Sequence, residues 1–273
     1  MKSGFIEVNS ANLYYEMDGE GTPLILNHAG LADGRMWNAQ FNEFARQYKT
    51  VRYDRRGFGK SKMVAGDYSD HDDLYAFMIS LNIDRAILVG CSQGAKLSID
   101  FALKYPEMTR ALVLATPALG GFFYDGPPPA QMDQLEKADK DGDLDLINEL
   151  ELQIWVDGPH RRPDQVDPKV RELVRDMNRI ALETPEDLGN EIPLEPPAVN
   201  RLSEIKGPTL IITGDLDAPP SLARADFLAK NIPHAKKVTI SGTAHLPNME
   251  KPEEFNEHVL SFLKSIQMQM VRE

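Results

Sequence analysis

A serine hydroxyl is a weak nucleophile until its surroundings activate it, and one stretch of the chain offers such surroundings. Gly90-Cys91-Ser92-Gln93-Gly94 follows the apolar, branched run Ala86-Ile87-Leu88-Val89, which suits a buried strand. It precedes residues 95–105, whose apolar side chains recur at helical spacing and stop before Pro106. G-x-S-x-G between a strand and a helix is the setting of a nucleophile elbow. The chain must reverse within a few residues, which forces the serine into a strained backbone conformation. Glycine is needed on either side because a Cβ there would meet the neighbouring strand and helix. The turn presents Ser92 at the carboxyl edge of a sheet. It also aims the Gln93 amide, at the helix N-terminus, at the place where an oxyanion would form. Ser92 is the expected nucleophile and Gln93 an expected oxyanion donor.

Such a serine needs a base, and the base needs a group to orient it. Of six histidines, His71, His160, His234 and His258 fall at expected helix starts or surface positions and read as solvated. His245 lies in a loop with Gly242 and Pro247, directly after the last apolar strand, where sites form in parallel sheets. It is the expected base. The acid is expected in the loop after the preceding strand, where Asp215 and Asp217 both stand. Asp215 follows the strand glycine directly and can close the turn locally. Asp217, ahead of Ala218-Pro219-Pro220, is better placed to swing over the sheet edge and is the expected orienter.

The elements that must hold these residues apart and then together can be read in order. Residues 5–9 and 12–17 suggest an antiparallel hairpin, and 23–27 the next strand. A helix is expected over 36–48, a short strand over 50–53, a glycine-rich loop over 54–61 and a helix from Ser69 or Asp70 through Leu81. After the elbow strand and helix comes the strand 111–115. Strand and helix alternate to this point, which implies an α/β fold with a mostly parallel sheet. The rhythm breaks over residues 118–205, where helices are expected over 130–140, 144–156 and 168–183 and no strand. It resumes with strands over 209–213 and 237–240 and helices over 221–231 and 252–268. The chain therefore divides into a core, 1–117 and 206–273, and a helical cap, 118–205. Within the cap, Leu146, Ile147, Leu150, Ile154 and Trp155 form one stripe. Trp155, with Phe122 and Phe123 just after a strand, is expected to line an apolar substrate pocket.

Taken together, Asn27-His28-Ala29-Gly30, the stretch 53–61 (YDRRGFGKS), Gly90-Cys91-Ser92-Gln93-Gly94, Gly214-Asp215-Leu216-Asp217 and Ala244-His245 resemble the α/β-hydrolase family, of the serine esterase and lactonase type with a helical cap. The order Ser92, Asp217, His245 is the order of that family. The resemblance implies a second oxyanion amide two residues beyond the first histidine, at Gly30, although Ala29 stands where the motif usually has glycine. His28 is read as a structural residue beside the oxyanion hole and counted with the pocket lining. The resemblance also implies hydrolysis of a small carboxylic ester or lactone through an acyl-enzyme on Ser92. Enol-lactonases, carbon–carbon bond hydrolases and cofactor-free haloperoxidases share the constellation, and so do some ligand-sensing receptors built on the fold. Epoxide hydrolases and haloalkane dehalogenases place aspartate at the elbow, and Ser92 argues against both.

Composition narrows the classes further. The formal net charge of −12 argues against nucleic acid and anionic membranes as partners. Residues 125–195 carry 19 acidic against 8 basic side chains, read mostly as solvated helix faces. One cysteine allows no internal disulfide, and no signal-like N-terminal run is seen, so a cytoplasmic protein is expected. Gly59-Lys60-Ser61 imitates a phosphate-binding loop, but Asp54 stands where that loop needs glycine. No His/Cys/Asp/Glu cluster has metal-ligand spacing, so neither metal nor cofactor is expected. Cys91 is read as inert core.

Overall fold

Strand residues of alternating direction and two apolar layers define the architecture of the computed structural model, which describes residues 1–185 and 188–270. The hairpin β1 (Lys2–Val8) and β2 (Ala11–Asp18) leads to β3 (Pro23–Asn27), helix α1 (Asn38–Phe44) and β4 (Lys49–Tyr53). A three-residue strand β5 (Gly66–Tyr68) and α2 (Asp70–Ser80) follow, then β6 (Ala86–Cys91), α3 (Gln93–Lys104) and β7 (Thr109–Ala115). The next segment holds α4 (Met132–Asp141), α5 (Leu144–Leu152), α6 (Pro168–Leu182) and the short β8 (Gly189–Glu191). The chain closes with β9 (Thr209–Gly214), α7 (Pro219–Asn231), β10 (Lys236–Ile240), α8 (Pro247–Glu250) and α9 (Pro252–Met270).

Eight strands form one sheet in the order β1-β2-β4-β3-β6-β7-β9-β10. β2 pairs antiparallel with β1 and β4, and every other pair is parallel. Because side chains alternate across a strand, the central strands feed two cores. Ile25, Leu88, Leu112, Leu114 and Ile211 face one, with residues of α2, α3 and α7. Leu24, Leu26, Ile87, Val89, Val113 and Ile212 face the other, with residues of α1 and α9. Burial on both faces is why these strands are continuous apolar runs rather than alternating ones. β3 and β6 are neighbours, yet β3 leads on to β4 on one side and β6 to β7 on the other. Their carboxyl ends therefore flank the point where a parallel sheet opens a crevice.

The segment between β7 and β9 leaves and returns at one place, where the Val199 N–H donates to the Gly120 carbonyl at 3.1 Å. Its inner side chains Leu152, Val156, Val170, Val174 and Met177 join the core cluster on the α1/α9 side. Three expectations need correction. A strand does occur in this segment: Gly189–Glu191 pairs in parallel with Gly66–Tyr68, off the main sheet. The expected helix over 144–156 ends as α-helix at Leu152 and continues as a π-turn over Gln153–Asp157. Leu146, placed in the apolar stripe, is 41% exposed, because the stripe's inner face is narrower than its spacing implied.

Candidate active site

Ser92 follows β6 with φ 52° and ψ −114°, a strained conformation for a residue with a side chain. Its neighbours are glycines for steric reasons. A Cβ at Gly90 would lie 2.2 Å from the Gly94 carbonyl oxygen, and one at Gly94 would lie 2.1 Å from the Asn27 carbonyl oxygen. The Ser92 N–H donates to Ala115 at the end of β7, and its carbonyl accepts from Ala118 and from the first turn of α3. The turn is thus fixed from both sides.

β3 brings Gly30 alongside. A Cβ there would stand 3.0 Å from Gln93 Cγ, so the backbones of the two expected oxyanion donors are close. Ala29 fits in the position that glycine usually fills: it is fully buried, its carbonyl accepts from His28 Nδ1, and its N–H approaches Met36 Sδ at 3.2 Å.

His28 does not line a pocket. It is fully buried, its Nδ1 donates to the Ala29 carbonyl at 2.8 Å and its Nε2 accepts the Arg55 N–H at 2.9 Å. Both bonds hold only for the neutral ring protonated on Nδ1. Burial, and then the nearby Arg55 guanidinium, push its pKa well below the usual histidine value. The ring ties the loop after β3 to the loop after β4, and so supports Gly30.

At the other end of the sheet edge, β9 and β10 deliver the expected acid and base. His245 Nδ1 donates to Asp217 Oδ2 at 2.8 Å, with both side chains 1% exposed. Asp217 Oδ1 accepts the Ala218 N–H at 2.7 Å, at the start of α7. Asp215 is turned away. It accepts from Ser241 Oγ at 2.7 Å and from the Gly242 N–H at 2.5 Å, and the Ser241 bond is the main reason its pKa lies below the usual carboxylate value. The His245 loop is tied back toward Ser92 by Thr116, whose hydroxyl donates to the His245 carbonyl at 2.8 Å. Thr116, directly after β7 with φ 41°, was not anticipated. Its place at the carboxyl end of the strand beside β6 was the available signal. Cys91 packs under the same carbonyl, and burial pushes its thiol up to about 12, as inert core requires.

The expected pocket aromatics separate. Trp155, in the π-turn, reaches the site: its ring lies 4.8 Å from the His245 ring at 43°. Phe122 is partly buried and packs on Phe227 of α7, with ring centroids 5.4 Å apart. Phe123 is 81% exposed and does not line a pocket, because the loop after β7 turns it outward. A cavity of about 380 Å³ opens beside the expected oxyanion donors, lined by Gly30 and Gln93 with Arg55, Phe58, Met63 and Thr184 among others. His71 is buried, not solvated: Lys104 of α3 covers it, with Nζ 3.2 Å from Nε2. The 54–61 loop closes on itself, with Asp54 accepting the Gly34 and Lys60 N–H groups and Ser61 Oγ donating to the Asp54 carbonyl. The Gly57, Phe58, Lys60 and Ser61 amides all donate within the loop, to Ser61, Arg55, Asp54 and Phe58, rather than to a phosphate. Among the described residues no helix is long and apolar enough to cross a membrane.

A mostly parallel eight-stranded sheet with a strained serine after a central strand, and an aspartate–histidine pair after the last two, defines a hydrolase of the α/β type. The profile of the Alpha/beta hydrolase family matches residues 24–258, and the chain belongs to that family. Similar proteins include the 2-hydroxy-6-oxononadienedioate/2-hydroxy-6-oxononatrienedioate hydrolase of Comamonas testosteroni, 27% identical over 96% of this chain and 96% of the relative. The 3-oxoadipate enol-lactonase 1 of Acinetobacter baylyi is 26% identical over 91% of each chain. Among solved structures, Est816, described as an N-acyl homoserine lactone degrading enzyme, superposes with a TM-score of 0.77 at 26% identity, covering 95% of this chain and 100% of its own.

Proposed function

We propose that the protein hydrolyses small carboxylic esters or lactones through an acyl-enzyme on Ser92. The observation that carries this reading is the buried Asp217–His245 pair at 2.8 Å, on the same sheet edge as the strained serine. In the first half-reaction His245 Nε2 takes the Ser92 proton as Oγ attacks the carbonyl carbon. The developing oxyanion is held by the Gly30 and Gln93 amides. His245 then gives the proton to the leaving oxygen. In the second half-reaction it activates a water that releases the acid. Asp217 keeps the Nδ1 proton in place and offsets the imidazolium charge. Each oxyanion amide is worth about 3 kcal/mol at the transition state.

Residues 118–205 are the cap of this reading, covering the base side with Trp155, while the cavity beside Gly30 and Gln93 leaves room for part of the substrate. Relatives named for a lactone and for a 2-hydroxy-6-oxo acid make a graded series of p-nitrophenyl esters, lactones and oxo acids the right screen. Turnover of an ester or lactone is expected. Ser92→Ala should lower it by several orders of magnitude, and a serine-directed phosphonate should label Ser92 alone. Labelling at another serine, or near-normal turnover by Ser92→Ala, would overturn the assignment. One-turnover behaviour coupled to a ligand-dependent protein partner would favour a receptor instead.

A further inference from the structure

One segment of the insertion between β7 and β9 touches the acid loop, the base loop and the base itself. Within residues 153–161, the Trp155 ring lies against the His245 ring, with centroids 4.8 Å apart and the planes tilted by 43°. Gly158 sits so close to both loops that a Cβ there would stand 2.6 Å from the Leu216 carbonyl oxygen and 3.0 Å from Ala244 Cβ. Leu216 precedes Asp217 and Ala244 precedes His245. Arg161 closes the segment. Its Nε donates to the Asp157 carbonyl and its Nη2 to the Val156 carbonyl, both at 2.8 Å, which ties down the C-terminal end of the π-turn. Its Nη1 donates to Glu250 Oε2 at 2.5 Å, and the two side chains are 10% and 7% exposed. The other oxygen of Glu250, Oε1, accepts the Ala244 N–H at 2.8 Å.

We propose that Arg161 and Glu250 form a positioning clamp, which holds the Trp155 ring against His245 and fixes the His245 backbone from the opposite side. This rests on the reading of His245 as the base of Ser92. Each end of the clamp acts on the same ring. Through the Val156 and Asp157 carbonyls, Arg161 sets the pitch of the turn that carries Trp155. Through the Ala244 N–H, Glu250 sets the backbone from which the imidazole projects. When His245 takes the serine proton it becomes a cation, and the electron-rich face of an indole within about 6 Å favours that form. The clamp therefore does more than attach the cap. It keeps the ring aligned and stabilises its charged state, which is the state formed in the transition state. The other ionisable groups around the ring are Asp217, on its Nδ1, and Cys91, beneath its carbonyl. Arg224 of α7 interacts electrostatically with Asp217.

The sign of the effect separates a clamp from a simple charge effect. Arg161→Gln removes a positive charge, and by field alone would raise the His245 pKa. Glu250→Gln removes a negative charge, and by field alone would lower it. Glu250→Gln also keeps an oxygen for the Ala244 N–H. If the pair acts by holding Trp155, both variants move the midpoint in the same direction, downward.

The test is an NMR titration of the His245 imidazole together with steady-state ester kinetics. The chains compared are the wild type, Arg161→Gln, Arg161→Lys, Glu250→Gln and the exposed neighbour Arg162→Gln. Expected results are a fall in the His245 midpoint in both Arg161→Gln and Glu250→Gln, with kcat down about tenfold and KM within about twofold. Arg161→Lys should recover part of both, and Arg162→Gln should match the wild type. In a Trp155→Ala background, Arg161→Gln should leave the midpoint where Trp155→Ala alone puts it. Midpoints that move in opposite directions, a wild-type midpoint in folded Arg161→Gln, or an undiminished effect of Arg161→Gln without Trp155 would each overturn the clamp. Should Arg161→Gln fail to fold, Arg161→Lys carries the comparison, because it keeps the positive charge: a fall in its midpoint that disappears in the Trp155→Ala background comes from the lost clamp, and a wild-type midpoint with Trp155 present overturns it. The titration needs no substrate. A wild type that neither turns over esters nor takes the phosphonate at Ser92 would refute the proposed hydrolysis, while the midpoints still decide the clamp.

Discussion

Two aspartates two residues apart meet very different surroundings, and a single substitution at each should expose the difference. Asp217 is 1% exposed, with one oxygen on His245 and the other on the Ala218 N–H. Asp215 spends both oxygens on Ser241 and Gly242, within the turn at the end of β10. Asp217→Asn should keep the fold and lower kcat by about 10⁴-fold, because an amide favours the wrong imidazole tautomer. Asp215→Asn should cost less than about tenfold, through a loosened loop. Parallel kinetics and circular dichroism on the two variants check this, and the reverse ranking would move the orienting role to Asp215. At this scale the sequence was informative where a residue's role depends on its own neighbours. Ser92 between its glycines, His245 after the last strand and Asp217 before its prolines each stand out as candidates by their own neighbours. His28 does not, because its second partner is the Arg55 backbone, 27 residues away. Phe123 failed for the opposite reason. An aromatic side chain after a strand says nothing about which way the loop will turn it.

Elements with many residues carry their own signal, and short ones borrow theirs. The long helices and the buried strands stand close to where periodicity puts them. Strands β5 and β8, at three residues each, have too few positions to show a period and exist because they pair with each other. The four-residue α8 is similar: its Glu250 is set by the Ala244 N–H and by Arg161 from another part of the chain. By composition most carboxylates of the acidic helices are expected on solvated faces, yet several are engaged. Arg171 pairs with Asp157 and Glu149, Arg175 with Glu149 and Arg179 with Asp145 and Glu183. Packing between β3 and α3 gives the sharpest test at this scale. A methyl group at Gly94 would have to occupy space 2.1 Å from the Asn27 carbonyl oxygen and 2.6 Å from that of His28, both backbone atoms that cannot rotate away. Gly94→Ala should therefore cost about 3 kcal/mol or more, seen as a large fall in Tm or as loss of soluble protein. A Tm within a few degrees of the wild type would show that α3 can slide outward, and that the elbow is less tightly fixed than its contacts imply.

At the scale of the whole molecule, two carboxylates that folding hides contribute to stability in a pH-dependent way. Burial pushes Asp54 and Asp100 up to about 6, from an ordinary value of 3.8. A carboxyl whose pKa is higher in the folded chain than in the unfolded one favours folding while it is protonated. That contribution is complete below about pH 4 and is lost as pH rises through about 6. Asp100 is the cleaner case. It is 3% exposed on α3, its Oδ1 has no hydrogen-bond partner, and its Oδ2 lies 3.5 Å from Lys96 Nζ. Lys96 pulls the pKa down but burial outweighs it, so the ionised form is the costly one even with its cation beside it. Lys96 also keeps a second partner, Glu191, at 3.1 Å. Asp100→Asn should therefore stabilise the protein at pH 8, by up to about 3 kcal/mol for a rise of about two pKa units. The gain should shrink through pH 6 and vanish by about pH 4. Urea unfolding of both chains at pH 4, 6 and 8 measures it directly. A variant no more stable than the wild type at pH 8, or one whose advantage grows as pH falls, would mean that Asp100 is held ionised in the folded chain and that its pairing with Lys96 outweighs its burial.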